Sequence, residues 1–168
     1  MGTRHLTCVR KDGEFKVAQY GQWDGYPEHT GVGILQFLQK INRDIFEEKV
    51  SQVLLVTEEQ LEEMWREVGA EGDLVSLETS QAFKQKHPEL HRDTGHEILQ
   101  IIYESEKPIM VQDSSEFGND SLFCEWAYII DLDNNKLEVH SNGFQEHPVT
   151  FNLNDLPSKE EFLESFER

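Results

Sequence analysis

An Asp-Gly pair near the amino terminus separates two segments in which apolar and polar residues alternate. Residues 3–9 alternate with the period of a strand, and residues 14–20 repeat the pattern with Phe15 and Val17 on one face. Asp12-Gly13 tolerates the positive φ angles that a tight turn requires. The pattern therefore predicts an amino-terminal β-hairpin.

Helical spacing of the apolar residues follows. A loop over residues 21–33 leads into a helix with Thr30 as its N-cap, and Asn42 or Asp44 caps a second helix that extends to Leu54. A short helix is predicted over residues 77–86. Capping-box patterns open three more helices: Thr57 with Gln60, Thr94 with Glu97, and Ser158 with Glu161.

Strand patterns return in the last third of the chain. Short strands are predicted at 109–112, within 121–132, at 137–140 and at 149–151. A hairpin, several helices, a meander of strands and a last helix predict an α+β fold, with a mainly antiparallel sheet of about five strands covered by helices. The length fits a single globular domain over residues 1–168.

The charge is strongly acidic and unevenly distributed. The 168 residues carry 33 acidic and 15 basic groups, a formal net charge of −18. Residues 1–43 hold six basic and four acidic groups, so the acidic excess lies in the rest of the chain. An acidic body repels a phosphate backbone, which disfavours direct nucleic-acid binding and favours a basic protein as partner.

The cysteine content and the length of the apolar runs bear on the cellular compartment of the protein. Cys8 and Cys124 give no disulfide framework, which is typical of a reducing compartment. No apolar run approaches the roughly 18 residues of a membrane span, and no signal-peptide pattern opens the chain. We expect a cytoplasmic protein with no membrane partner, no cofactor and no metal.

The segment Gln19–Pro27 concentrates side chains that bind ligands. Its glycines and its proline allow sharp turns around two aromatic platforms, two amides and a carboxylate. The alternative is a structural lid on the core, with Asp24 bonded to nearby amides. The candidate ligand-binding residues are Gln19, Tyr20, Gln22, Trp23, Asp24, Tyr26 and the more distant Arg92.

Three blocks of sequence carry a family resemblance: Gln19–Pro27, residues 92–95 with Ile98-Leu99, and residues 126–133 with 137–139. Together they resemble a broad family of uncharacterised proteins from phages, bacteria and fungi. The resemblance implies one shared fold, in which the blocks could form one site, and it brings no activity. In that case Arg92 faces the loop and pairs with Asp24. Without it, Asp93 or Thr94 acts as a helix cap.

The opening Met1-Gly2-Thr3, followed by the hairpin, is similar to the start of proteasome-type threonine peptidases. This similarity implies an N-terminal-nucleophile-hydrolase-like fold, in which the amine of a freed Thr3 acts as base for its own hydroxyl. The aspartate expected at the end of the second strand is absent, because Gln19-Tyr20 stands there. Thr3 is therefore a candidate nucleophile that lacks one partner of the pattern.

Other motifs have simpler explanations. His87, His91 and His96 match no closed zinc site and fit loop positions near helix caps. The segment 131–135 lacks the glycine and distal glutamate of a calcium loop and fits a hairpin turn. A cysteine nucleophile would need His5, His29 or His140 beside it, and the sequence does not demonstrate that pairing.

Three functions stay open at this point. The first is a small-ligand or peptide-binding protein with its pocket at Gln19–Pro27, where Trp23 and Tyr26 would supply stacking surface. The second is an N-terminal-nucleophile-type amide hydrolase. The third is an acidic phage-type protein that inhibits a host or defence protein by binding it, an attraction that salt would weaken.

Overall fold

A computed structural model describes residues 2–69, 77–90 and 94–166. The strands are β1 His5–Lys11, β2 Glu14–Gly21, β3 Leu54–Leu55, β4 Met110–Val111, β5 Trp126–Asp131, β6 Lys136–Ser141 and β7 Val149–Asn152. The helices are α1 Val32–Lys40, α2 Arg43–Ser51, α3 Glu58–Glu67, α4 Leu77–Lys86, α5 Glu97–Glu104 and α6 Lys159–Glu164. Shorter helical turns are Pro27–Gly31, Pro88–Leu90 and Ser115–Asn119.

Five strands form the main sheet, in the order β2-β1-β5-β6-β7. Every neighbouring pair is antiparallel except β1 and β5, which are parallel. Parallel neighbours need a long crossover, and here the chain supplies one that contains α1 to α5. The prediction of an α+β fold with a mainly antiparallel sheet of about five strands is confirmed. No helix among the described residues is long and apolar enough to cross a membrane.

The amino-terminal hairpin is confirmed, with one change of register. Asp12 and Gly13 form the turn with φ angles of 56° and 76°. A β-bulge lies where Val17 pairs with Val9 and Phe15 pairs with Arg10. The extra residue turns Phe15 to the face opposite Val17, so the prediction that these two share a face is wrong.

Three of the predicted helix starts are confirmed by their caps. The side chain of Asn42 accepts a hydrogen bond from the backbone N–H of Ile45 at the start of α2. Thr57 and Gln60 form a complete capping box on α3, and the Ser158 hydroxyl caps α6. Short polar side chains at these positions pair with amides that the helix leaves unbonded.

Three other boundary predictions are wrong. The Thr30 and Thr94 hydroxyls donate to the carbonyls of Asp24 and Pro88, so neither caps a helix. Leu54 lies in β3 rather than in α2, because its backbone pairs in parallel with β4. In each case a distant backbone group competes successfully with the local helical pattern.

The sheet separates two apolar clusters. The larger cluster packs helices on one face and includes Val9, Ile34, Phe46, Ile98, Tyr128, Leu137 and Phe162. The smaller cluster lies on the other face under the irregular segments around Phe117 and Phe144, and includes Leu6, Cys8, Ala18, Cys124, Ala127 and Ile129. Both faces of β1 and β5 are therefore buried.

A buried network of charges joins β1, β5 and β6. The Arg10 guanidinium Nη1 lies 3.0 Å from Asp131 Oδ2 and 3.3 Å from Glu138 Oε2. His140 Nε2 lies 3.0 Å from Glu138 Oε1. Burial alone would raise the pKa of Asp131, but hydrogen bonds from Asn134 and Arg10 outweigh it and hold the pKa below its usual value.

We predict that Asp131→Asn lowers the free energy of unfolding at neutral pH by about 1–3 kcal/mol, because it removes the nearer of the two buried carboxylates that pair with Arg10. A carboxylate whose pKa is lowered by folding stabilises above its unfolded pKa of roughly 4, and this contribution is lost as pH falls through the folded value. Urea unfolding near pH 7 and near pH 3 should therefore give a smaller difference at the lower pH. The exposed Asp155→Asn is the charge-matched control, and an equal effect of both variants would contradict the assignment.

Candidate functional site

The ring of His5 anchors the segment that contains Gln19–Pro27. His5 begins β1, and its side chain is 1% exposed. Its Nδ1 lies 3.0 Å from the carbonyl oxygen of Thr3, and that oxygen also accepts a hydrogen bond of 3.1 Å from the N–H of Gly25. Because a carbonyl oxygen can only accept, the Nδ1 atom of His5 carries the proton.

Three glycines make room for the His5 ring. A Cβ on Gly21 would lie 2.2 Å from Nε2, and a Cβ on Gly25 would lie 2.5 Å from Nδ1. A Cβ on Gly95 would lie 3.0 Å from Nε2, and Gly95 also has a positive φ of 52°. Side chains other than hydrogen would overlap the ring at these distances. Gly21 and Gly25 come from one sequence block and Gly95 from another, so both blocks meet at His5.

The His5 imidazole is neutral. Burial, the largest influence, outweighs the hydrogen bond to Thr3 and lowers the pKa of His5 to about 4, and the nearby His96 adds to the lowering. With the proton on Nδ1, Nε2 presents a lone pair. That atom is buried and has no hydrogen-bond partner among the residues the structure describes.

A cavity of about 330 Å³ lies beside this ring. Its walls come from three separate parts of the chain: β1, the loop and helical turn before α1, and residues 94–97, where α5 begins. The lining residues are His5, Trp23, Asp24, His29, Thr30, Thr94, Gly95, His96 and Glu97. Burial lowers the pKa of His96, so a second imidazole of the lining favours its neutral form.

Local hydrogen bonds fix the shape of the loop. Asp24 adopts a left-handed conformation with φ of 54°, which aspartate tolerates better than most residues. Its carbonyl accepts bonds from the backbone N–H and the hydroxyl of Thr30, at 3.3 Å and 2.7 Å. The hydroxyl of Tyr128 in β5 donates to the Gly25 carbonyl at 2.6 Å. Tyr128 belongs to the third sequence block, residues 126–133, which therefore also contacts this loop.

Two of the candidate ligand-binding residues line the cavity. Trp23 is half exposed, and Asp24 lies next to it in the lining. Neither is buried as a plug in the core, so the loop borders a hollow space.

The other four described candidates lie away from the cavity lining. Tyr20 points to the opposite face of the sheet, where its ring packs edge-on against Phe117, and its hydroxyl donates to the Gln22 side chain at 2.6 Å. Gln19 is buried within β2. The Tyr26 ring packs edge-on against His29. The strand continues to Gly21, so the side chains of this segment divide between two faces of the sheet.

Two remaining candidates have different outcomes. Arg92 lies outside the described residues, as do Asp93 and His91. Thr3 contributes its backbone carbonyl to His5 and Gly25, and it is not part of the cavity lining. The unpartnered nitrogen of His5 is the one that does not bond Thr3, so the ring is not directed at the threonine as a base.

Sequence reasoning missed most of the cavity wall. His5 was considered only as a partner for a cysteine, and Thr94, His96 and Glu97 only as parts of a helix start or a metal motif. The available signal was the presence of Gly21, Gly25 and Gly95 in the blocks that carry the family resemblance, since several glycines around one point leave space for a ring. Their common neighbour could not be read from the sequence.

The described residues do not support a metal site, a cysteine nucleophile or a calcium loop. No group of three or more histidine, cysteine or acidic side chains within residues 2–69, 77–90 and 94–166 could hold a metal ion. Burial raises the pKa of the Cys124 thiol to about 12 and raises that of Cys8 further, so both thiols stay protonated. The segment 131–135 forms the turn between β5 and β6.

Comparison with protein-family models, curated proteins and solved structures finds no match to this chain. The resemblance of the three blocks to phage, bacterial and fungal proteins, and that of the hairpin to threonine peptidases, therefore stay predictions. The amide-hydrolase and inhibitor hypotheses also stay predictions.

The contact between His5 and Gly21 can be tested by a double-mutant cycle. We predict that Gly21→Ala lowers the free energy of unfolding by about 1–3 kcal/mol, because the new methyl group overlaps the ring. In the background of His5→Ala the same change should cost less, because only the Gly95 Cα, 3.0 Å away, then remains close to the new methyl group. Equal costs in both backgrounds, measured by denaturant unfolding, would show that the ring does not fill this space.

The buried His5 also predicts a dependence of stability on pH. The unfolded chain takes up a proton on this ring below about pH 6.5, whereas the folded protein does so only near pH 4. The free energy of unfolding should therefore fall as pH decreases between these values. We expect His5→Gln to flatten part of this decrease, because burial also lowers the pKa values of His96 and His140, which contribute the rest. His147→Gln, at an exposed loop position, is the matched substitution control.

Proposed function

We propose that this protein binds a small organic molecule in the cavity beside His5. The observation that carries the proposal is the buried Nε2 of His5, which has no hydrogen-bond partner in the described part of the chain and belongs to a wall of that cavity. An unsatisfied buried acceptor costs about 1–3 kcal/mol. A ligand that donates a hydrogen bond to it would recover part of that cost.

The exposure of Trp23 supports the same proposal. Its side chain is 50% exposed beside the cavity, although an indole is among the side chains that gain most from leaving water. Large aromatic surfaces at the edge of a hollow commonly stack on a ligand. A bound ring system would cover the indole and fill the space next to it.

The size of the cavity favours one of the two ligand classes that the sequence left open. Ligand pockets typically measure about 300–1,000 Å³, and a cavity of about 330 Å³ lies at the lower end. This volume suits one compact ring system and not an extended peptide, which needs a long groove or a free sheet edge. We therefore propose a small molecule.

Backbone groups of Gly25 and Asp24 hold the loop in place. The N–H of Gly25 bonds Thr3, its carbonyl accepts from Tyr128, and the Asp24 carbonyl accepts from Thr30. Substitution of Trp23 should therefore leave the loop in position, which makes it a selective test of ligand contact.

We predict that Trp23→Ala abolishes the binding of small planar fragments, detected by ligand-observed NMR, and changes the free energy of unfolding by about 1 kcal/mol or less. Phe123→Ala is the matched control, because Phe123 is 49% exposed and lies outside the cavity lining. Fragment binding that survives Trp23→Ala, or a fragment set in which no member binds the wild type, would refute the proposal. A variant that unfolds would show that the loop is part of the core.

A further inference from the structure

The two threonine hydroxyls of the cavity lining already donate their hydrogens to backbone carbonyls. Thr30 Oγ1 donates to the carbonyl of Asp24 at 2.7 Å, and Thr94 Oγ1 donates to the carbonyl of Pro88. A hydroxyl has a single proton and two lone pairs. Towards any other group, both threonines can therefore act only as hydrogen-bond acceptors.

The remaining fixed polar groups of the lining are acceptors as well. His5 presents the lone pair of Nε2, because its proton is held on Nδ1 by the Thr3 carbonyl. Asp24 and Glu97 add two carboxylates, and no lysine or arginine lines the cavity within the described residues. The other polar side chains of the lining are His29, His96 and Trp23; a neutral imidazole offers one donor and one acceptor, and an indole N–H only donates.

We propose that the ligand is a small planar organic cation of the amidinium or guanidinium type. Such a group donates several hydrogen bonds in one plane, which suits His5 Nε2 and the Asp24 carboxylate, while its face suits the Trp23 indole. This inference rests on the proposed function and adds the chemical class of the ligand.

An anionic ligand is disfavoured by the same groups. It would meet two carboxylates and an imidazole lone pair, each of which repels negative charge. Burial lowers the pKa of His5 to about 4, so near pH 7.5 its Nε2 lone pair faces the cavity and this ring offers an anion no donor there.

Three compounds of nearly identical shape test the charge preference: benzamidine as cation, benzamide as neutral amide and benzoate as anion. Binding is measured by NMR titration near pH 7.5, where Kd values on the order of millimolar are expected for fragments of this size. We expect benzamidine to bind about tenfold or more tightly than benzamide, and benzoate not to bind.

The net charge of −18 could attract any cation without a specific site, so the test needs a matched control. Asp24→Asn removes one carboxylate from the lining, and asparagine tolerates the left-handed backbone at this position. Asp155→Asn removes the same charge at an exposed position outside the cavity. We expect Asp24→Asn to weaken benzamidine about tenfold and Asp155→Asn to leave its Kd unchanged.

The outcomes separate the ligand class from the existence of the site. Equal effects of the two asparagine variants, equal binding of benzamidine and benzamide, or a preference for benzoate would overturn the cation class. If benzamide or benzoate binding depends on Trp23 in any of these cases, the small-molecule site stands and only its assigned class fails. If none of the three compounds binds, the cation class is overturned, and the fragment experiment with Trp23→Ala decides separately on the site.

Discussion

The imidazole of His5 is the contact on which the arrangement of the cavity depends. Its Nδ1 proton fixes the Thr3 carbonyl, which also receives the N–H of Gly25, and its other edge lies against Gly21 and Gly95. Protein interiors are closely packed, and on these sides of the ring a Cβ atom would come within 3.0 Å of it. The ring can therefore lie here only because these neighbours are glycines. The glycines thereby set how closely the loop before α1 approaches the start of α5.

Much of the fold could be predicted because it depends on local signals. The Asp12-Gly13 turn, the caps at Asn42 and Ser158 and the capping box at Thr57 each act within a few residues. Turn and cap chemistry of this kind survives in almost any tertiary context. The number of strands in the sheet followed from the same local patterns.

The errors arose where a distant partner outweighed the local pattern. Thr30 and Thr94 occupy positions typical of helix caps. Their hydroxyls instead donate to backbone carbonyls six residues earlier in the chain. Phe15 changed face through a bulge that alternation alone does not reveal. The loop with Trp23 was found from its composition, but its partner His5 has no sequence signature, because only the folded backbone brings the glycines to it.

The chain leaves the main sheet after β2 and returns to it at β5, beside β1. One wall of the cavity, residues 94–97, lies within this crossover, so the cavity forms only when that part of the crossover packs against the start of β1. A molecule held between them interacts with the closed topology and not with the open chain, so its occupancy would retard proteolysis and amide exchange in the central strands. A ligand bound there would thus stabilise the packing of the crossover against β1.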